Sequence, residues 1–185
     1  MPTKKEKVIY LTFDDGPHPE LTPFVLNTLN DYKAKGTFFL IGKNVKKYPE
    51  EFRRIIEAKH TVGNHTYSHL NGWKTRCHNY LKDIDDCHKI FESKLFRPPF
   101  GRITPSQIFR LKQDFKIIMW DVLSWDFSST ITPEKCLNIV VKETKNGSIL
   151  VFHENDKSKN NLVYTLPKVL AYFSDKGYVF KAINY

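Results

Sequence analysis

The residues best suited to chemistry are two adjacent aspartates, Asp14 and Asp15, which end the apolar run "VIYLTF" and precede Gly16-Pro17. Neighbouring carboxylates repel, so the pair calls for a compensating charge. The stretch "GNHTYSHL" offers the means to hold one. His65 and His69 stand four apart, which on a helical turn puts both imidazoles on one face and suits two ligands of one ion. Thr66 follows the first histidine where a zinc protease requires glutamate, so that reading fails. Two imidazoles and one carboxylate, from Asp14 or Asp15, make a three-ligand site with a position left for water. The other aspartate, its repulsion offset by the cation, can stay charged and act as a base.

Three further positions extend the constellation. Arg97, in "FRPPFG", leaves an apolar stretch with two prolines behind it that stiffen the turn, and its guanidinium suits a charge-assisted bond to the second aspartate. His153 ends the apolar run "SILVFH", and either Asp121 or Asp126 could hold and tune it as an acid. Trp120, Trp125, Phe127 and Phe100 flank these positions and could line a groove for sugar rings.

The elements that must position these residues alternate along the chain. Strands are expected over 8–13, 37–42, 60–64, 95–99, 116–121, 148–153 and 178–183, and helices near 22–34, 49–59, 73–93, 105–113, 133–145 and 163–175. Thr22-Pro23, Thr104-Pro105 and Thr132-Pro133 read as helix starts, and Lys35-Gly36, Asn146-Gly147 and Lys176-Gly177 as stops. Seven strands alternating with six helices predict an α/β fold with a parallel sheet, open or closed into a barrel. Asp14-Asp15, His65, Arg97, Asp121 with Asp126, and His153 then fall at the C-terminal ends of different strands, the face on which such folds build sites.

At 185 residues, with no linker, low-complexity block or repeat, one domain over 1–185 is expected. Lysine and arginine exceed aspartate and glutamate by 29 to 20, scattered in short pairs. No nucleic-acid module accompanies that charge, so nucleic acid is not an expected partner. No apolar stretch reaches the ~20 residues of a membrane span. "MPTKKEKVIYLTF" lacks the pattern of a secretory leader, which points to the cytoplasm on the sequence as given. The three cysteines cannot all pair within the chain, and Cys77-His78 and Cys87-His88 lie about 15 Å apart if helical, too far for a disulfide or a shared ion. They read as ordinary helix residues in a reducing compartment, and the oligomeric state stays open with a monomer favoured.

"TFDDGP", "HTYSH", "RPPFG", "WDVLSWDF" and "VFH", in this order over residues 12–153, resemble the five motifs of the polysaccharide deacetylase family. The resemblance implies a distorted (β/α) barrel of about seven parallel strands. It also implies one divalent metal, usually zinc with cobalt or nickel as alternatives, bound by Asp15, His65 and His69. Asp14 would be the general base, Arg97 its orienting partner, His153 the general acid and Asp126 the residue that tunes it. The Phe100 backbone N–H would stabilise the oxyanion, Val151 would wall the acetyl methyl, and Trp125 would contact an acetylated glycan substrate.

The implied reaction is removal of N-acetyl groups from a chitin- or peptidoglycan-like amino-sugar chain, with release of acetate. The alternatives are an O-acetyl esterase, a metal-bearing glycan-binding module without turnover, and an iron oxygenase built on a facial triad. Phe100, Leu123 and Phe127 stand where the family more often has tyrosine, aspartate and tryptophan, which bears on the substrate more than on the reaction. The family mostly works at the cell envelope or outside the cell, in contrast to the leaderless start.

Overall fold

The computed structural model describes residues 6–184. The first five residues of the stretch "MPTKKEKVIYLTF" lie outside that range. Strand β1 (Lys7–Asp14) is followed by α1 (Leu21–Asp31), β2 (Gly36–Leu40), α2 (Gly42–Lys47), α3 (Pro49–Glu57), β3 (Thr61–Asn64), α4 (Cys77–His88), β4 (Leu95–Phe96) and α5 (Pro105–Leu111). The chain continues through β5 (Lys116–Ile117), β6 (Val122–Leu123), α6 (Pro133–Glu143), β7 (Ile149–His153), α7 (Lys159–Asp175) and β8 (Tyr178–Phe180). Every strand pairing is parallel, in the order β5-β4-β3-β2-β1-β7-β6, and β8 pairs with Lys7–Ile9 of β1.

β5 and β6 stand at opposite ends of that order, yet only residues 118–121 separate them. An extended chain covers about 17 Å from Ile117 to Val122, so the two sheet edges must curl toward each other. Ile118 N donates to Phe96 O on one edge at 2.9 Å, and Asp121 N donates to Ile149 O on the other at 3.0 Å. The strand expected over 116–121 is thus one run that leaves one edge and joins the other. It nearly closes the barrel, and its division gives eight short strands in place of seven.

Side chains of a strand alternate between faces. Ile9, Leu11 and Phe13 of β1 face the helices and join Val25, Leu29, Leu166 and Leu170 in the main core. There Phe13 stacks between Phe38 and Phe152, with ring centroids 4.9 and 6.2 Å away. Each large apolar side chain so buried contributes about 1.5–3 kcal/mol. The other face fills the barrel. Phe39, Leu95 and Ile183, with Tyr10, Ile118 and Ile149, form a small apolar plug. This leaves Thr12 and Asp14 of the same strand for the layers above it.

Helix starts at Thr104 and Thr132 are as expected: Thr104 forms a reciprocal capping box with Gln107, and Thr132 accepts from Lys135 N. Thr22 is not a cap. Helix α1 already begins at Leu21, and Thr22 Oγ1 instead accepts from His18 N at 2.9 Å. Gly147 and Gly177 take the left-handed conformation of helix stops, but Gly36 opens β2 against the Phe13 ring and the left-handed position is Lys33. The expected helix over 73–93 is a short 3-10 turn, Gly72–Lys74, followed by α4, on which both Cys77 and Cys87 lie as free thiols. Helix α7 starts four residues earlier than its apolar pattern, and α2, six polar-rich residues, had no periodicity to announce it.

His60 couples this core to pH. Its Nδ1 accepts from Gly36 N at 3.1 Å, its ring meets Phe38 edge-on, and burial, with Lys35 nearby, pushes its pKa down to about 4. An unfolded histidine titrates near ~6.5, so between there and about 4 the unfolded chain takes up a proton that the folded chain excludes. Stability from this group is complete above that window and falls by about 3 kcal/mol across it. Urea unfolding from about pH 7 down to about pH 4 should show that loss, and His60→Asn should flatten the slope. An unchanged slope in the variant would assign the acid sensitivity elsewhere.

Candidate active site

The C-terminal ends of the strands bring most of the expected residues into one groove of about 800 Å³, lined among others by Asp14, Asp15, His65, His69, Phe100, Trp125, Val151 and His153. Asp14 and His153 are register partners on the adjacent strands β1 and β7. Neighbouring strands lie about 4.8 Å apart, so the two side chains stand beside each other on the barrel rim. Arg97 follows β4 and is fully buried. Its Nη1 donates to Asp14 Oδ1 at 2.8 Å and to Thr12 Oγ1 at 2.7 Å, while Nε and Nη2 donate to the carbonyls of Ile118 and Met119.

Asp15 turns away from Asp14 through a left-handed φ of 75°. Its Oδ1 lies 3.5 Å from His65 Nε2 and 3.1 Å from His69 Nε2, and is buried without a hydrogen-bond partner. His65 Nδ1 donates to Arg97 O at 2.8 Å, which leaves Nε2 as the ring nitrogen turned to Asp15. Burial alone would raise the Asp15 pKa, but His65 and His69, and behind them His153, hold it well below the usual carboxylate range.

The donor set, one carboxylate and two imidazoles with ligand atoms within 4.8 Å of one another, fits a divalent cation. The i,i+4 argument expects His65 and His69 on one helical face, and the structure brings the two rings together by a different route. Residues 65–69 are not helical; the rings converge because Thr66 and His69 take left-handed backbones at 65° and 59°. Asp83 ties this loop down by accepting from Tyr67 N, Ser68 N and Ser68 Oγ.

His153 is held twice by Asp126, whose Oδ1 accepts from Nδ1 at 2.8 Å and whose Oδ2 accepts from the His153 backbone N at 2.7 Å. Burial opposes the protonated ring, but Asp126, then Asp15 and Asp14, raise its pKa to about 9. Of the two aspartates offered for this role, Asp121 is excluded. It precedes β6 at the far end of the barrel, where Oδ2 accepts from Ile149 N. Phe100 and Trp125, 60% and 47% exposed, both line the groove, and the Phe100 ring lies 4.6 Å from that of His69. Phe127 meets His153 edge-on, and Val151, fully buried, lies in the floor.

Sequence reasoning missed three supports. Asn44 Nδ2 donates to Asp15 O at 2.7 Å, Asn155 Nδ2 to Asp15 Oδ2 at 2.7 Å, and Asn161 Nδ2 to Asp126 O at 2.9 Å. Nothing in the spacing of isolated asparagines marks them. Gly16, joined to Pro17 by a cis peptide bond, packs so closely on Glu154 that a Cβ would sit 2.1 Å from Oε2. Burial raises that carboxyl to about 8, so it is mostly neutral at pH near ~7.

Residues 2–114 match the family model described as polysaccharide deacetylase. A peptidoglycan-N-acetylglucosamine deacetylase of Bacillus cereus is 35% identical over 190 residues, which cover 97% of this chain and 87% of that protein. The chain belongs to the polysaccharide deacetylase family. A chitooligosaccharide deacetylase of Azorhizobium caulinodans is 32% identical over 82% of this chain and 76% of its own length. Among solved structures, a peptidoglycan N-acetylglucosamine deacetylase in complex with 4-naphthalen-1-yl-N-oxidanyl-benzamide matches with a TM-score of 0.90 at 32% identity, over 97% of this chain and 87% of that one. As a polysaccharide deacetylase the protein is a hydrolase of amide bonds, and metal dependence is a general property of its family.

The buried ion pair yields a stability prediction. Arg97→Met strands Asp14 and two carbonyls without their donor and should cost about 3–5 kcal/mol in urea unfolding. Adding Asp14→Leu should recover part of that loss. A cost below about 1 kcal/mol for the single variant would deny the pair its structural role.

Proposed function

We propose that this deacetylase removes the acetyl group from N-acetylated sugars of a peptidoglycan-type glycan, with Asp15, His65 and His69 holding a zinc ion. The observation that carries the reading is the meeting of three units in one groove: the Asp15-His65-His69 cluster, the Arg97–Asp14 pair and the His153–Asp126 pair. The oxygenase alternative uses only the first of these. When bound, the ion supplies Lewis acidity toward the acetyl carbonyl and the attacking water.

Asp14 is the general base. Arg97 occupies Oδ1, so Oδ2 is the oxygen that accepts the water proton as the water oxygen bonds to the carbonyl carbon. The Phe100 N–H donates to the oxyanion that develops. His153, protonated through Asp126, gives its Nε2 proton to the sugar nitrogen as the carbon–nitrogen bond breaks. Acetate and a free amino sugar leave. Phe100 and Trp125 supply faces for sugar rings, and Val151 an apolar floor for the methyl group.

Charge favours an acidic glycan. The groove carries Lys74, Arg102 and Lys157 at its exposed margin, while its acidic residues are Asp14 and Asp15 at the floor. Similar relatives named as acting on peptidoglycan N-acetylglucosamine and on chitooligosaccharide bracket the choice. Acetate release from N-acetylated peptidoglycan should exceed that from neutral N-acetylglucosamine oligomers, and a chelator should abolish both. Equal rates would remove the acidic-glycan preference.

The roles are tested by Asp14→Asn and His153→Ala. Each should lower turnover by about 10²–10⁴-fold while zinc content stays at the wild-type level. Unimpaired turnover in either variant would sink that assignment.

A further inference from the structure

Asn155 lies two residues beyond His153, in the loop that leads into α7, and none of the motifs includes it. Its side chain is used at both ends. Oδ1 accepts from Lys157 N at 3.0 Å and from Ser158 N at 3.1 Å, and Nδ2 donates to Asp15 Oδ2 at 2.7 Å. Two backbone N–H groups can face only the carbonyl oxygen, so the orientation of the amide is determined and its NH₂ group must point at the carboxylate. The loop is itself braced, because Ser158 Oγ donates to His153 O and Asn155 O.

The two oxygens of Asp15 therefore differ. Oδ2 is occupied by the amide, whereas Oδ1 faces His65 and His69 with no hydrogen-bond partner. Asn44 fixes the same residue from its other side by donating to the main-chain carbonyl. The amide bond fixes the rotation of the carboxylate with Oδ1 toward the imidazoles, and turning Oδ2 onto the same ion would strain the 2.7 Å bond to Asn155.

We infer that Asn155 is a positioning residue that makes Asp15 a one-oxygen ligand, keeping its second oxygen off the cation and a coordination position open for water and the acetyl oxygen. This role rests on the reading of Asp15, His65 and His69 as the cation site. A catalytic site of three protein ligands works by such an open position. Outer partners of metal ligands commonly govern affinity and activity in this manner.

The test is Zn²⁺ affinity, measured by chelator competition on the full chain, for wild type, Asn155→Ser and Ser158→Ala. Serine at 155 keeps an acceptor for the turn amides but carries no group that reaches Asp15. Asn155→Ser should bind Zn²⁺ about 10–100-fold more weakly, and the visible spectrum of the Co²⁺-loaded protein should change as the released carboxylate chelates through both oxygens. Ser158→Ala should lower the thermal midpoint and leave Zn²⁺ affinity unchanged. Wild-type affinity and spectrum in Asn155→Ser would overturn the inference, as would equal weakening in both variants, which would credit the loop and not the amide. A wild-type protein that takes up neither Zn²⁺ nor Co²⁺ would overturn the metal reading first, and this role with it.

Discussion

An arginine with no exposed surface must place its charge and its N–H groups entirely within the protein, and Arg97 does so where the chain crosses between the two sheet edges. Residues 118–121 pass from one sheet edge to the other, and the carbonyls of Ile118 and Met119 are met by Arg97 Nε and Nη2. The same guanidinium bonds Thr12 and Asp14 of β1 and lies over the Phe39 ring at 4.1 Å. Removing a guanidinium from water is costly, and the carboxylate of Asp14 is what makes it tolerable. Closure of the barrel, orientation of the Asp14 carboxylate and neutrality of the interior are thus one interaction.

Backbone strain is concentrated where the groove is built. Among the described residues, seven other than glycine have positive φ, and five of them are Asp15, Thr66, His69, Phe100 and Trp125. The other two, Lys33 and Lys59, directly follow helical turns. Left-handed backbones at ordinary residues cost on the order of 1–3 kcal/mol each and persist only where surrounding contacts enforce them. Here the enforcing contacts are specific: Asn44 on Asp15, and Asp83 on the loop between the histidines. The core beneath carries that cost through the Phe38–Phe13–Phe152 stack and the apolar faces of α1 and α7.

Much of this was legible in the sequence, for physical reasons that differ from residue to residue. Strand and helix alternation shows in apolar periodicity, so the parallel fold and the rim positions of Asp14, Arg97 and His153 could be read directly. Thr104 and Thr132 announced their helices because a cap is a local interaction. Thr22 misled for the complementary reason: its hydroxyl serves a contact outside the helix. The pairing of His65 with His69 was visible but its backbone was not, since a left-handed threonine leaves no trace in spacing. The choice of Asp126 over Asp121 depended on where one continuous run switches sheet edges, a tertiary fact. Asn44, Asn155 and Asn161 act through single bonds across the fold, and no periodicity records such contacts.

The register of β1 with β7 has a consequence for how the protein fails. Asp14 and His153 are placed by the main-chain ladder at the centre of the sheet, so they separate only when that ladder opens. Phe100, Trp125 and His69 sit on loops outside it, and such segments open at lower free energy than central strands. The site is therefore layered in resilience. Under gentle stress the loops that carry Phe100, Trp125 and His69 give way first, while Asp14 and His153 still stand side by side on the central strands.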